Sequence, residues 1–390
     1  MHILHLYKDY FPVPGGIENH VRALAEGLAA RGHRVTVLVT STTPRDEISQ
    51  RGNLTIIKAG RLLHLASTPL SLKMLWYARH LTGVDVIDLH FPYPPGDLAA
   101  LLVPRGPPLV VTYHSDIVRQ RLLLRAYGPL LNLTLNRAAR IVPTSANYIA
   151  SSPWLHPRSH RCTVSPLSVD VARFASPDKS AVSALRSRYG YGGDEAVPLL
   201  LFVGKLRYYK GLHFLFEALR LMHAQARLLL VGSGPEEARL RDLARSLHLD
   251  GRVHFLGAVS DEELPSLYGA ADVFVLPSHL RAEAFGIVQI EAQAAGLPVV
   301  CTELGTGTSA ITRHGVTGFV VPPAHPPALA RALDVLVANP ELSRRMGEAG
   351  RVRATEEFSH DRMIERMEQI YREVQPGVPL WYNRDCDGET

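Results

Sequence analysis

Cysteine is scarce: three in 390 residues, Cys162, Cys301 and Cys386, far apart and odd in number. That excludes a disulfide framework and paired zinc-ligand spacing, and suits reduced thiols in a cytosolic protein. No apolar run reaches the roughly 18–20 residues needed to cross a bilayer. The opening MHILHLYKDY has a strand pattern rather than that of a signal peptide. No recognised nucleic-acid-binding module is present. The glycine-rich turn VGSGP (231–235) lacks the third glycine of a dinucleotide fingerprint, which disfavours NAD. Nothing marks a lysine-bound pyridoxal site. An Asp-x-Asp metal triplet occurs only as Asp385-Cys386-Asp387, in the polar tail, where coincidence is the better reading.

Acidic residues are thin in the first half. Residues 1–170 hold 10 against 18 lysines and arginines, a net +8, whereas 171–390 hold 27 against 24, a net −3. A basic half favours an anionic partner, whether phosphate, acidic lipid or nucleic acid, and the last has no module to support it.

What is present is an alternation of strands and helices, long enough for two domains. HILHL, RVTVLVT (34–40), LTIIKA (54–59), DVIDLH (85–90), PLVVTYH (108–114) and RIVPTS (140–145) form one strand series. PLLLFVG (198–204), ARLLLVGSG (226–234), RVHFLG (252–257), ADVFVLPS (271–278) and PVVCTE (298–303) form another. Such alternation predicts an α/β chain with two doubly wound parallel sheets, each covered by helices on both faces. The expected division is 1–170 as a first domain, 171–197 as a proline- and glycine-bearing linker and 198–356 as a second domain. A helix over 357–375 is expected to pack back on the first domain, with a tail over 376–390. Ligands are expected at the carboxyl ends of the strands, in the cleft between the two domains.

RAEAFGIVQIEAQAAGLPVV (281–300) places two glutamates, Glu283 and Glu291, in a segment that otherwise looks like core. The spacing predicts a helix from near Gly286 to Gly296, with Glu283 before it and Glu291 inside it. The amides of Phe285, Gly286 and Ile287 would then be free donors at a helix start, suited to an anion. Glu291 could accept from a ribose diol, and Glu283 from sugar hydroxyls. A loop charge and a solvated helical charge are the plainer alternative, but Ile287, Val288, Ile290, Ala292 and Ala294 leave little solvated face. FVGKLRYYKG (202–211) sets Lys205 and Lys210 just past a strand end, where positive charge can stabilise a departing anion in place of a metal; for either lysine alone, a solvated surface charge is the plainer alternative. PVPGGIENH (12–20) sets Gly15 and Gly16 after the first strand, with His20 following; VVTYHSD (110–116) ends on His114 and Asp116; His90 ends another strand.

PSHLRAEAFGIVQIEAQAAGLPVV resembles the E-x7-E segment of retaining GT-B glycosyltransferases of the GT4 family, and the other motifs agree with it in order up to about residue 372. The longer form, with CTELGTGTSA after it, is most similar to bacterial mannosyl- and rhamnosyltransferases. The resemblance implies that Glu283 contacts the donor sugar, that Phe285, Gly286, Ile287 and Val288 present amides and packing near sugar and diphosphate, and that Glu291 holds the ribose. Lys210 fits the usual diphosphate lysine; Lys205 stands where arginine is commoner, with Arg207 close enough to compensate. His114 is placed beside the donor sugar, Gly15 and Gly16 in the donor-side glycine loop, and Gly232, Phe255 and Leu256 in the wall of the base pocket. His20, His90 and Asp116 are acceptor-side candidates.

The expected reaction moves a hexose, mannose or rhamnose first, from a nucleoside diphosphate such as GDP to a hydroxyl acceptor, with a lipid-linked or glycan precursor fitting the basic half. No metal or other cofactor is expected. A GT-B sugar epimerase and a non-catalytic nucleotide-sugar-binding protein are the alternatives. Residues 116–141, with Arg119, Arg121, Arg125, Arg137 and Arg140 among leucines, read either as a helix on an anionic membrane surface or as an ordinary helix packed on the sheet.

Overall fold

The computed structural model describes the chain except for residues 14, 66–67, 105, 118–120, 193–194 and 376–390; for 121–124, 191–192 and 195 it describes the backbone alone. The chain forms two compact units. The first comprises Met1–Thr144, Ser152–Pro166 and the segment from His360 onward; the second comprises Ser145–Ser151 and Leu167–Ser359.

In the first unit the chain runs β1 (His2–Leu6), α1 (Gly16–Ala30), β2 (Arg34–Thr40), β3 (Glu47–Arg51) and β4 (Leu54–Ala59). A small hairpin, β5 (Leu63–Leu65) with β6 (Thr68–Leu70), leads into α2 (Leu72–His80), β7 (Val86–Phe91), α3 (Pro94–Leu102), β8 (Leu109–Tyr113), α4 (Arg121–Arg137) and β9 (Arg140–Pro143). The sheet order is β3-β4-β2-β1-β7-β8-β9. Its pairings are parallel apart from β3 on β4. β1, β7 and β8 are buried along their whole length, as strands covered on both faces should be. The chain lays β2 and β4 on one side of β1, then returns to lay β7, β8 and β9 on the other. Strand order therefore reverses between β1 and β7.

The second unit repeats the plan. α5 (Ala146–Ser151) belongs to it, followed by α6 (Val171–Ala175), α7 (Lys179–Tyr189) and a short ladder of β10 (Tyr191–Gly192) with β11 (Glu195–Ala196). Its sheet comprises β12 (Leu199–Val203), β13 (Arg227–Val231), β14 (Val253–Gly257), β15 (Val273–Leu276), β16 (Val299–Thr302) and β17 (Gly318–Val321). The order is β14-β13-β12-β15-β16-β17, all parallel, and reverses between β12 and β15. Around it lie α8 (Leu212–Leu221), α9 (Glu237–Ser246), α10 (Leu264–Ala270), α11 (Val288–Ala294), α12 (Gly307–Ile311), α13 (Pro326–Ala338) and α14 (Pro340–Phe358).

The boundaries differ from those read in the sequence. Residues 171–197 are no linker. Asp170 caps α6 and Asp178 caps α7 through their carboxylates, and the Arg186 guanidinium forks onto Asp272 at 2.7 and 3.0 Å. Residues 145–151, expected in the first domain, join the second, where Asn147 donates to the Thr306 carbonyl and Ser151 to the Gly305 carbonyl. After α14, extended backbone at Ser359 starts α15 (His360–Glu373), which belongs to the first unit and packs on α1 with Ile364 seated against Gly27. β3 and β17 were not foreseen: β3 is an exposed, largely polar edge strand and β17 only four residues long.

Candidate functional site

In the second unit the chemistry gathers at the reversal between β12 and β15, where open α/β sheets bind ligands. Past β12, a short 3-10 turn, Tyr208–Lys210, ends on Gly211 at φ +69°, the left-handed region that glycine tolerates. A β-carbon there would lie 2.1 Å from the Pro277 carbonyl oxygen, so glycine lets this turn press against the end of β15. The contact brings Lys210 Nζ to 2.5 Å from Glu283 Oε2. Both side chains are buried, and an isolated charge of either kind would be costly there. Burial disfavours the lysine's charge, but Glu283 more than compensates and raises the Lys210 pKa. The Ser278 hydroxyl donates to Glu283 Oε2 at 2.9 Å, and Thr306 Oγ1 donates to the Glu283 carbonyl at 2.9 Å. Glu283 is therefore fixed from β15 and from the loop after β16 together.

The Glu283–Glu291 segment differs from expectation in its helix. α11 runs Val288–Ala294, seven residues, with Gly286 at φ +80° before it. Too short for a strong dipole, it leaves instead a row of loop amides. Among the described residues, those of Phe285, Gly286 and Ile287 have no backbone acceptor. Phe285 is buried, while Ile287 and Val288 keep an exposed edge. Glu291 sits in the first turn and accepts from Tyr268 Oη at 2.7 Å. It retains a partly exposed edge although its carboxyl lies among buried groups, and that burial raises its pKa against the opposing Tyr268 hydrogen bond and Arg173 charge.

Lys205 and Arg207 are exposed, with no ion-pair partner among the described residues, so the structure brings Lys210 to Glu283 and leaves the other two cations facing water. Gly232 lies at the end of β13, where a β-carbon would stand 2.0 Å from the Gly204 carbonyl oxygen; its amide donates to the Gly257 carbonyl at 2.7 Å. Phe255 and Leu256 are half-buried on β14, and the Arg241 guanidinium lies 4.3 Å over the Phe255 ring.

In the first unit a second cluster lies at the reversal between β1 and β7. It holds His5 from β1, Asp88 and His90 from β7, His114 just after β8 and His20 from α1, all buried. His5 Nδ1 lies 3.1 Å from His90 Nε2, and His90 Nδ1 lies 3.1 Å from His114 Nε2. Asp88 accepts from Thr112 and from Tyr371 Oη of α15, each at 2.6 Å. Burial lowers the imidazole pKa values, His20 to about 3, His90 to about 4 and His114 well below the usual range. Burial also opposes ionisation of Asp88, but His90, His5 and Thr112 outweigh it and hold the carboxyl below its usual range.

Gly15 is extended and Gly16 has open space where a β-carbon would go. Asp116 accepts from Tyr113 Oη and the Ser152 hydroxyl, both at 2.7 Å, which fastens the end of β8 to the start of the 152–166 segment. The thiols of Cys162 and Cys301 are free and pushed up by burial to about 11 and about 12.

Comparison with known proteins decides what such a pair of sites belongs to. Residues 188–353 match the family profile of glycosyl transferases group 1, and residues 14–173 that of glycosyltransferase family 4. The chain is a family 4 glycosyltransferase. It is 38% identical to the D-rhamnosyltransferase WbpZ of Pseudomonas aeruginosa, over 92% of both chains. It is 37% identical to the O-antigen chain mannosyltransferase C of Escherichia coli, over 95% of this chain and 98% of the relative. Among solved structures it is similar to sucrose-phosphate synthase from Thermosynechococcus elongatus, with a TM-score of 0.77 and 26% identity over 96% of this chain and 98% of that one. The fold of the glycosyltransferase is GT-B, with two Rossmann-like units.

Several residues around the two clusters were not singled out in the sequence, although Thr306 lies in the ELGTGTSA stretch (303–310), which reads there as a donor-sugar pocket wall or a plain loop, and Ser278 lies in the glutamate-bearing motif. Ser278, Thr306 and Tyr268 orient the two glutamates, and His5, Asp88 and Tyr371 anchor the histidines. Strand-end position and membership of the glutamate-bearing motif were the sequence signals for Ser278; Tyr371 is separated from Asp88 by 283 positions and gave none. In the arginine-rich stretch, Leu131 and Leu135 are buried while Arg125 and Leu133 are exposed, the pattern of a helix packed on its unit. Arg119, the side chain of Arg121 and the Asp385-Cys386-Asp387 triplet lie outside the described residues. No described helix is long and apolar enough to cross a membrane.

Proposed function

We propose that this glycosyltransferase moves mannose or rhamnose from a nucleoside diphosphate to a hydroxyl acceptor, retains the anomeric configuration, and needs no metal at the diphosphate. The observation that carries the reading is the buried Lys210–Glu283 pair at the strand reversal of the second unit. Each charge serves as the other's partner until a donor arrives. The diphosphate then takes up the lysine's charge, and sugar hydroxyls donate to Glu283. Lys205 and Arg207, exposed on the same loop, add positive charge as the glycosidic C–O bond breaks and the diphosphate departs. Glu291, held by Tyr268, accepts from the ribose, with Gly232, Phe255 and Leu256 beside the base. His114 is assigned to a sugar hydroxyl. Attack on the same face, assisted by the leaving phosphate, requires no enzymic nucleophile, and none is assigned.

The names of the two relatives support mannose or rhamnose as the sugar, and the O-antigen chain named in the second supports a glycan acceptor, for which a lipid-linked precursor is the form we propose. Such an acceptor places the protein at the cytoplasmic face of a membrane. The basic first unit suits that surface, as does an apolar edge missed in the sequence: Leu62, Leu63, Leu65, Leu72 and Trp76 are all exposed. GDP-mannose is the first donor to test, then GDP-rhamnose and UDP-hexoses.

The test is a thermal-shift panel of nucleoside diphosphates and their sugars, since a ligand of the folded state raises its stability. It is followed by NMR of the product's anomeric configuration, with and without added magnesium. A larger shift with UDP than with GDP overturns the base assignment, and an inverted product overturns retention. A donor epimerised without acceptor favours an epimerase, and a shift without turnover favours a silent binder.

A further inference from the structure

The geometry points to a transition-metal site inside the first unit, held by His20, His90 and His114. The ligand nitrogens of these three rings lie within 4.8 Å of one another. His90 Nδ1 and His114 Nε2 are 3.1 Å apart, close to the separation of about 3.3 Å between two nitrogens on one tetrahedral zinc at 2.0–2.1 Å. His20 stands edge-on to both, its ring centroid 5.8 Å from that of His90 and 5.3 Å from that of His114. It is 4% exposed, and neither of its ring nitrogens has a hydrogen-bond partner. A buried polar ring with both ends unpaired is rare in a native fold, and a cation supplies a partner for one of the two nitrogens.

The surrounding layer fits a ligated imidazole. The far nitrogen of His90, Nε2, faces His5 Nδ1 at 3.1 Å and Asp88 Oδ2 at 3.5 Å, and Asp88 is itself fixed by Thr112 and Tyr371. Metal-bound histidines use such a carboxylate-backed outer layer to set tautomer and ring orientation. Three imidazoles without a carboxylate in direct contact suit zinc, nickel, copper or iron rather than magnesium or calcium. The site departs from the metal-free expectation of the sequence; its three ligands belong to the first unit and the lysines assigned to the diphosphate to the second. Ligation through His114 Nε2 leaves the proton on Nδ1, which has no partner here, and so sets that ring as a donor. This last consequence alone rests on the proposed sugar contact.

The test uses the full chain, stripped with a chelator, dialysed and titrated with cobalt(II), and reads visible absorption and bound metal without any activity assay. One cobalt per folded chain is expected, with the strong bands of a four-coordinate ion. His20→Gln should abolish stoichiometric binding, Asp88→Asn should weaken it about 10–100-fold, and His64→Gln, on the exposed β5, should leave it unchanged. A folded wild-type chain that retains less than one equivalent overturns the proposal, as does undiminished binding in folded His20→Gln. Should His20→Gln not fold, X-ray absorption of the zinc-loaded wild-type chain replaces it: three imidazole scatterers support the site, and fewer overturn it.

Discussion

Lys210 and Glu283 meet at 2.5 Å with both side chains buried, although 73 positions separate them in sequence. A buried pair of this kind is poor at stabilising a fold, because desolvation offsets much of its attraction. On the proposed function, its worth to the protein is a pair of charges held ready, dry and oriented.

Breaking the pair should show that asymmetry. Lys210→Met leaves Glu283 as an uncompensated buried carboxylate and should cost about 3–5 kcal/mol of stability. The double variant Lys210→Met/Glu283→Leu should recover much of that loss while remaining inactive. Denaturant unfolding of both variants and of Glu283→Leu closes the cycle. A double variant less stable than Lys210→Met would sink this account.

Glu291 should trade stability for nucleotide. Its folded-state pKa is raised, chiefly by burial, so the folded state favours its protonated form. That contribution is fully present below the unfolded carboxylate value near 4.3 and is lost as pH rises through the folded value. Glu291→Gln should therefore leave stability unchanged near pH 4, raise it near pH 8, and weaken nucleoside diphosphate binding at both. Melting temperatures at the two pH values, with and without nucleotide, measure this.

The histidine cluster should make the first unit acid-sensitive. Burial depresses His20 to about 3 and His90 to about 4, and His114 well below its usual value. A depressed folded-state pKa gives stability that is present above the unfolded value near 6.5 and lost as pH falls towards the folded one. Asp88, held below the usual carboxylate range, adds a loss at lower pH still. In chelator-treated protein the denaturant midpoint should fall steeply between pH 6.5 and pH 4, and His20→Gln should flatten that slope. Parallel slopes for wild type and variant would contradict it.

The proposed membrane association should depend on the apolar edge more than on the arginine-rich helix. Leu72 and Trp76 are 70% and 57% exposed, one turn apart on α2. Leu72→Ser/Trp76→Ser should reduce sedimentation with anionic liposomes several-fold, and Arg125→Gln should do so only slightly. The reverse order would return the contact to residues 116–141.

The sequence by itself determined the α/β alternation and the strand ends on which Lys210, Glu283, His90 and His114 stand. These are local facts: strand burial shows as apolar runs, and a polar residue just past such a run stands out. Tertiary structure alone decided which of them meet. Strand order reverses between β12 and β15 and between β1 and β7, and no local pattern encodes that reversal. Packing around these reversals pairs Lys210 with Glu283, leaves Lys205 in water and brings Tyr371 of α15 to Asp88 of β7. Such partners are set by packing between distant elements, where the favourable term is burial of whole faces and individual polar contacts follow from it.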